Sequence, residues 1–388
     1  MGRLALYESD CGRVAMSFGE NPSESRQENE DMRRKYMKAF QPDYRNMEKT
    51  ARNIEVERFP LYDHSIGLDK IGEITGKDVE SLSKGDESDL HEFFRIYCKF
   101  FKEMGYDAVP YNRRYTHALV GGGTLMDCRI PPTIRDMQDF QAYPWETIAD
   151  RYFEKHDKFY RILREELPEG MKALGGVGNG VFEVVQDLVG IQNLCYISVD
   201  DEELYHGLFA KAGEVQLQIW QRLMKEYGDI YCVMRMSDDL GFCANTLLPT
   251  DDVKTLILPE LKKVVDLVHS YNKPFLFHSC GNLVHIMDDL IDVVGIDAKH
   301  SNEDKIAPFY WWVETYGDRI GNFGGADVDA VCTYSRQELK EYMEEIIRKS
   351  LHHGGVAFGT GNSIPSYIPT ENFLHMNEII REFRGDFK

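Results

Sequence analysis

Lys273-Pro-Phe-Leu-Phe-His278-Ser-Cys280-Gly-Asn282 is the stretch on which the reading of the fold turns. A short, unbroken apolar run bounded by Pro and Gly has the character of a strand buried on both faces, as in a parallel sheet. Its last side chain is an imidazole, and a thiol follows two residues later. Two metal-competent groups therefore meet where a strand becomes a loop. In parallel α/β proteins that end of a strand is where chemistry is placed.

Working outward, similar runs recur from residue 56 to the end of the chain. Candidate strands cover 58–62, 107–111, 171–176, 230–236, 274–278, 294–299, 319–324 and 355–360. Amphipathic segments at 202–227, 251–271, 283–291 and 335–351 lie between them, with Leu, Ile and Val at helical spacing. Eight alternating units specify a (β/α)8 TIM barrel more naturally than a doubly wound sheet. Residues 1–55 are polar and read as an N-terminal helical extension packed on the outside, with 56–388 forming the barrel. The segment Asp10-Cys11-Gly12-Arg13 reads as an alternative strand or arm reaching another subunit, which would make a homodimer. A long loop, 112–154, is expected to cover the barrel mouth.

The net charge of −20, from 45 basic and 65 acidic side chains, argues against nucleic acid or an anionic membrane as partner. It suits a small-molecule enzyme, or docking to a partner with a basic patch. The eight Cys show no CxxC pair, and Arg3, Glu8, Asp10 and Arg13 interrupt any signal-like run at the start. A cytoplasmic protein with reduced thiols and no membrane span is the expectation.

If the strands are right, one cavity gathers His64, Asn112, Arg113, Tyr115, Glu183, Asp238, Asp239, His278, Cys280, His300 and Asn362, with Tyr111 close by. His278 and Cys280 supply two zinc ligands, and a third would come from Glu183, Asp238 or Asp239. Asp238 and Asp239 suit a general acid or a metal ligand, and either one equally suits capping the next helix. Glu183 follows Gly175-Gly-Val-Gly-Asn-Gly180 and is either an inward catalytic carboxylate or a helix N-terminal one. The glycine run itself fits close approach to a bulky ligand or tight packing. Tyr111, Asn112, Arg113, Tyr115, His64, His300 and Asn362 are candidate substrate-binding residues, and Trp145 is a further candidate for stacking.

The segments MRMSDDLGF (234–242), KPFLFHSCGN (273–282), GIDAKHSNED (295–304) and GTGNSIPSYIPTENFLHM (359–376) resemble the uroporphyrinogen decarboxylase superfamily, in its corrinoid-dependent methyltransferase-like branch. The resemblance implies a (β/α)8 barrel and three competing activities. True decarboxylases of the family carry an Arg-rich motif after the first strand, whereas this chain has Phe59-Pro-Leu-Tyr-Asp63-His64-Ser-Ile-Gly67. Thiol-methylating members carry a later Cys where Thr360 stands. Demethylating members move methyl from a small donor, such as an aryl methyl ether, to the cobalt of a separate corrinoid protein. The resemblance thus points to an O-demethylase-type methyltransferase with a corrinoid partner and zinc. A porphyrinogen carboxy-lyase, a methylcobalamin:thiol methyltransferase and a non-catalytic ligand-binding barrel are the alternatives.

Overall fold

A computed structural model describes residues 40–387. The expectations for the arm at 10–13 and for most of the extension fall outside the described residues. Seven parallel strands form one sheet in sequential order: β1 Ala108–Arg114, β2 Lys172–Gly178, β3 Tyr231–Ser237, β4 Phe275–His278, β5 Ala298–His300, β6 Gly321–Ala326 and β7 Val356–Thr360. Seven of the eight expected strands are present, displaced by a few residues at their ends.

The remaining one, at 58–62, is reduced to a single parallel bridge between Leu61 and Phe358 of β7. The Tyr62 N–H donates to the Phe358 carbonyl at 2.9 Å, and the Phe358 N–H donates to the Pro60 carbonyl at 3.1 Å. Toward β1 there is no ladder. On β1, Pro110 has no N–H to give, the usual mark of an edge. Side chains span this seam instead. Arg58 pairs with Asp107 at 2.5 Å, and the Tyr106 hydroxyl donates to the Asp63 carboxylate. The Arg384 guanidinium donates to the carbonyls of Phe59 (3.3 Å) and Gly105 (2.9 Å).

Ala108, Leu174, Val233, Leu276, Ala298, Phe323 and Ala357, one from each strand, meet in a single inner cluster with Tyr62. Residues of all seven strands can touch one another only if the sheet is curled around them. Helix Tyr44–Ala51 contributes Met47 and Ala51 to the same cluster. It therefore plugs the end where the strands begin, whereas the sequence suggested an extension lying outside. Gly321 and Gly355 permit this approach, since a Cβ at either would sit 2.5 Å or 2.2 Å from the Thr50 carbonyl oxygen. A larger outer core fills the space between the sheet and its helices. No helix among the described residues is long and apolar enough to cross a membrane.

The irregular stretch after β1 runs from 115 to 147 and is fastened down. Thr133 and Ile134 donate to the Leu188 carbonyl, and Val120 donates to the Tyr143 hydroxyl. The glycine run at 175–180 serves packing: a Cβ on Gly175 would lie 1.7 Å from the Tyr111 carbonyl oxygen, and one on Gly176 would lie 2.5 Å from Trp220.

The seam generates a stability prediction. Arg384 is almost wholly buried and also holds Asp386 at 2.5 Å. Arg384→Met should strand the two carbonyls and cost about 2–3 kcal/mol. Urea unfolding should show a lower midpoint at an unchanged slope.

Candidate metal centre and active site

Strand register builds the site. Ser237 pairs with His278 across β3–β4, and His278 pairs with His300 across β4–β5, so three residues stand in one row at the C-terminal edge. Residues in a row point to the same face of a sheet. His64 arrives from the 59–64 segment and stacks on His278, with ring centroids 3.7 Å apart. The His278 and His300 rings meet through their Nδ1 atoms at 2.7 Å, and His300 Nε2 donates to the Thr360 carbonyl at 3.0 Å. Burial is the main force holding all three imidazoles neutral, with His300 pushed down to about 3.

Arg235 reinforces that effect from below. Its guanidinium is buried inside the curled sheet and donates to the Tyr62 hydroxyl (3.0 Å), the His64 carbonyl (2.7 Å) and the Asn112 amide oxygen (2.7 Å). No carboxylate among the described residues pairs with it, so its charge acts on the imidazoles undiminished.

His278 Nε2 faces away from His300, toward Cys280 Sγ at 3.6 Å and an Asp239 oxygen at 3.7 Å. Ligand atoms held about 2.0–2.3 Å from a tetrahedral zinc are separated by about 3.5 Å. The His278–Cys280–Asp239 group therefore has the size and donor set of a three-ligand zinc site. The second compact group, His64–His278–His300, is less suited, because two of its nitrogens are close enough to share a proton. Burial pushes the Cys280 thiol up to about 12, which makes it a poor nucleophile on its own. Asn362 donates to Cys280 Sγ at 3.3 Å, and Asp239 accepts from the Cys280 N–H at 3.0 Å.

The adjacent carboxylates divide their work. Asp238 accepts from the backbone N–H groups of Phe182 (3.1 Å) and Glu183 (2.9 Å) at the start of helix Val181–Val189. It therefore caps that helix from another element. Gly180 leaves room for it, since a Cβ there would meet the Asp238 carboxyl at 2.3 Å. Glu183 belongs to neither metal-sized group. Its Oε2 accepts from Asn179 at 3.1 Å, and the described residues give its other oxygen no hydrogen bond. Burial, then the charges of Asp238 and Asp239, raises Glu183 well above the carboxylate range. Asn179 itself sits at φ 68°, held by Thr116 and Gln216.

Other candidates lie elsewhere. β1 continues to Arg114, so Tyr111 and Arg113 point outward, alternating with the inward Asn112. Tyr111 packs among Phe94, Tyr97 and Tyr160, while Arg113 donates to His156 at 3.1 Å and lies over Phe159. Tyr115 is fully buried and donates to the Ala212 carbonyl. Trp145 is buried against Phe140 and Tyr143. All four side chains are engaged in this packing. Asn112 supports Arg235. Sequence reading passed over Arg235 and Tyr62, and weighed Thr360 only for the thiol it lacks, although a charge at an inward position of the apolar run Val233-Met-Arg-Met was a visible signal.

No curated protein matches the chain in sequence. A methyltransferase from Methanosarcina mazei has a similar structure, with a TM-score of 0.66 at 18% identity, covering 87% of this chain and 98% of that one. A Listeria monocytogenes protein described as a vitamin-B12-independent methionine synthase aligns with a TM-score of 0.47 at 10% identity, over 86% of this chain and 98% of its own. Residues 124–383, which carry six of the seven strands and Glu183, Arg235, Asp238, Asp239, His278, Cys280, His300, Thr360 and Asn362, match the model of the uroporphyrinogen decarboxylase (URO-D) family. The chain belongs to the uroporphyrinogen decarboxylase family.

Proposed function

We propose that this chain is a methyltransferase that moves a methyl group from a small oxygen-linked donor, such as an aryl methyl ether, to the reduced corrinoid of a separate protein. The observation that carries this reading is the Asp239–His278–Cys280 group at the ends of β3 and β4. The segment from Phe59 to Gly67 holds no Arg to receive a polyanionic porphyrinogen, which counts against decarboxylation. Thr360 gives its N–H to Asp63, holds its hydroxyl between Asp63 and the Asn362 carbonyl, and offers no thiolate, which counts against the thiol-methylating reading.

Zinc held by His278, Cys280 and Asp239 would supply Lewis acidity toward the donor's oxygen. The residues do the rest. Breaking the C–O bond leaves the electron pair on oxygen, and the carbon passes to the corrinoid without it. Glu183, kept protonated by burial and by Asp238 and Asp239, gives that oxygen its proton. Asp238 fixes the helix turn from which Glu183 projects. Asn362, through its N–H to sulfur, orients Cys280. Around the mouth the loops expose Met126, Ile130, Phe242, Leu247, Val284 and Tyr367. An apolar rim of this kind suits a docked protein better than open solvent.

Incubation with reduced cobalamin and a panel of methoxylated aromatics should yield methylcobalamin, read by its absorbance. Absence of methylcobalamin with every donor, together with decarboxylation of a porphyrinogen, would replace this reading. Elemental analysis should find one zinc per chain. Asp239→Asn and Cys280→Ala should lose it while Asp238→Asn keeps it, and equal loss in all three would reject the assignment of Asp239 as ligand.

Glu183→Gln should slow methyl transfer by roughly a hundredfold or more. The acid must be protonated to act, so the wild-type rate should fall as pH rises through the elevated Glu183 value. That alkaline fall should be missing from Glu183→Gln, and a variant that retains it would assign the proton to another group.

A further inference from the structure

Two buried imidazoles and a carbonyl form a chain whose proton positions are determined. The Thr360 carbonyl oxygen only accepts, so the His300 nitrogen 3.0 Å from it, Nε2, carries hydrogen. A neutral imidazole has one N–H, which leaves His300 Nδ1 with a lone pair. His278 Nδ1 lies 2.7 Å from that lone pair and must therefore be the donor. His278 has then used its only N–H, and its Nε2 keeps a lone pair facing Cys280 and Asp239.

The anchor of this chain is itself rigid. Asp63 accepts from the Thr360 N–H at 2.9 Å and lies 2.7 Å from its hydroxyl, while the Tyr106 hydroxyl donates to the other Asp63 oxygen. Thr360 thus cannot turn its carbonyl away without breaking a buried network. Metal-binding histidines are commonly held in one tautomer by whatever their second nitrogen meets, usually a carboxylate, a carbonyl or water. Here the partner is another imidazole, itself set by a carbonyl.

We infer that His300 is a positioning residue that holds His278 in its Nδ1–H tautomer, with the Thr360 carbonyl as anchor, so that the Nε2 lone pair is ready for a ligand. The tautomer follows from the hydrogen-bond geometry of two buried, neutral imidazoles, and its use for zinc rests on the metal reading above. It also gives Thr360 a purpose independent of its side chain reaching the metal.

The test uses the full chain labelled with 15N-histidine and free of metal, with His278 signals identified by their absence in His278→Ala. Wild-type His278 should show a protonated Nδ1 and an unprotonated Nε2, and a protonated Nε2 would overturn the inference without need of any other variant. His300→Leu removes the acceptor, whereas His300→Asn places an amide oxygen where Nδ1 was. Zinc affinity, measured by competition with a chromophoric chelator, should weaken roughly ten- to a hundredfold in His300→Leu. It should stay close to wild type in His300→Asn. Equal weakening in both would mean that His300 matters only for packing, which overturns the positioning role. A wild-type protein that shows the stated tautomer but binds no zinc would uphold the hydrogen-bond chain and reject the metal reading.

Discussion

The site depends on strand register. Ser237, His278 and His300 come from three successive strands, and backbone pairing alone puts them side by side. Side chains alternate between faces, so a slip of one residue in β4 would send the imidazole of His278 into the helix layer and bring Phe277 inward. The aromatic residues on the outer face resist that slip, because Phe275 and Phe277 are fully buried there and have no place in the inner cluster. The outer core thus aims the chemistry on the inner face.

Around that row the interior of the curled sheet carries an unusual electrostatic load. Arg235 is buried with neutral acceptors only, and the carboxylates of Asp63, Asp238 and Glu183 are each displaced upward by burial. Taking charge out of water is costly unless it is matched. Burial meets that cost by holding the imidazoles neutral and Glu183 protonated, so unprotonated ring nitrogens stand near a proton-bearing carboxyl.

Much of this was legible in sequence, and the misses have specific causes. Apolar runs marked seven strands well, because a parallel strand buried on both faces leaves little ambiguity. The stretch 58–62 looked the same, but it makes a single bridge to β7 and meets Pro110, which lacks an N–H, on the β1 side. His278, Cys280, His64, His300 and Asn362 were placed together because each ends an expected strand or follows one within two residues. Tyr111 and Arg113 were misread because β1 runs on to Arg114, and alternation then turns both outward. The roles of Asp238 and Asp239 were not separable in sequence, since they depend on N–H groups of Phe182 and Glu183, more than fifty residues away in the chain.

The one-sided first stave has a consequence for the order in which the molecule is made. Asp63 is joined to Thr360 across 297 residues of chain, and Phe59 is joined to Arg384 across 325. Closing loops of that length carries a heavy entropic cost before any contact rewards it. On the ribosome, β1 to β6 emerge and can pair with their neighbours as they appear. The segment bearing His64 must wait, already synthesised but unattached, until β7 and the last helix follow. The histidine nearest the beginning of the chain is therefore among the last to reach its place, and birth of the active centre coincides with completion of the fold.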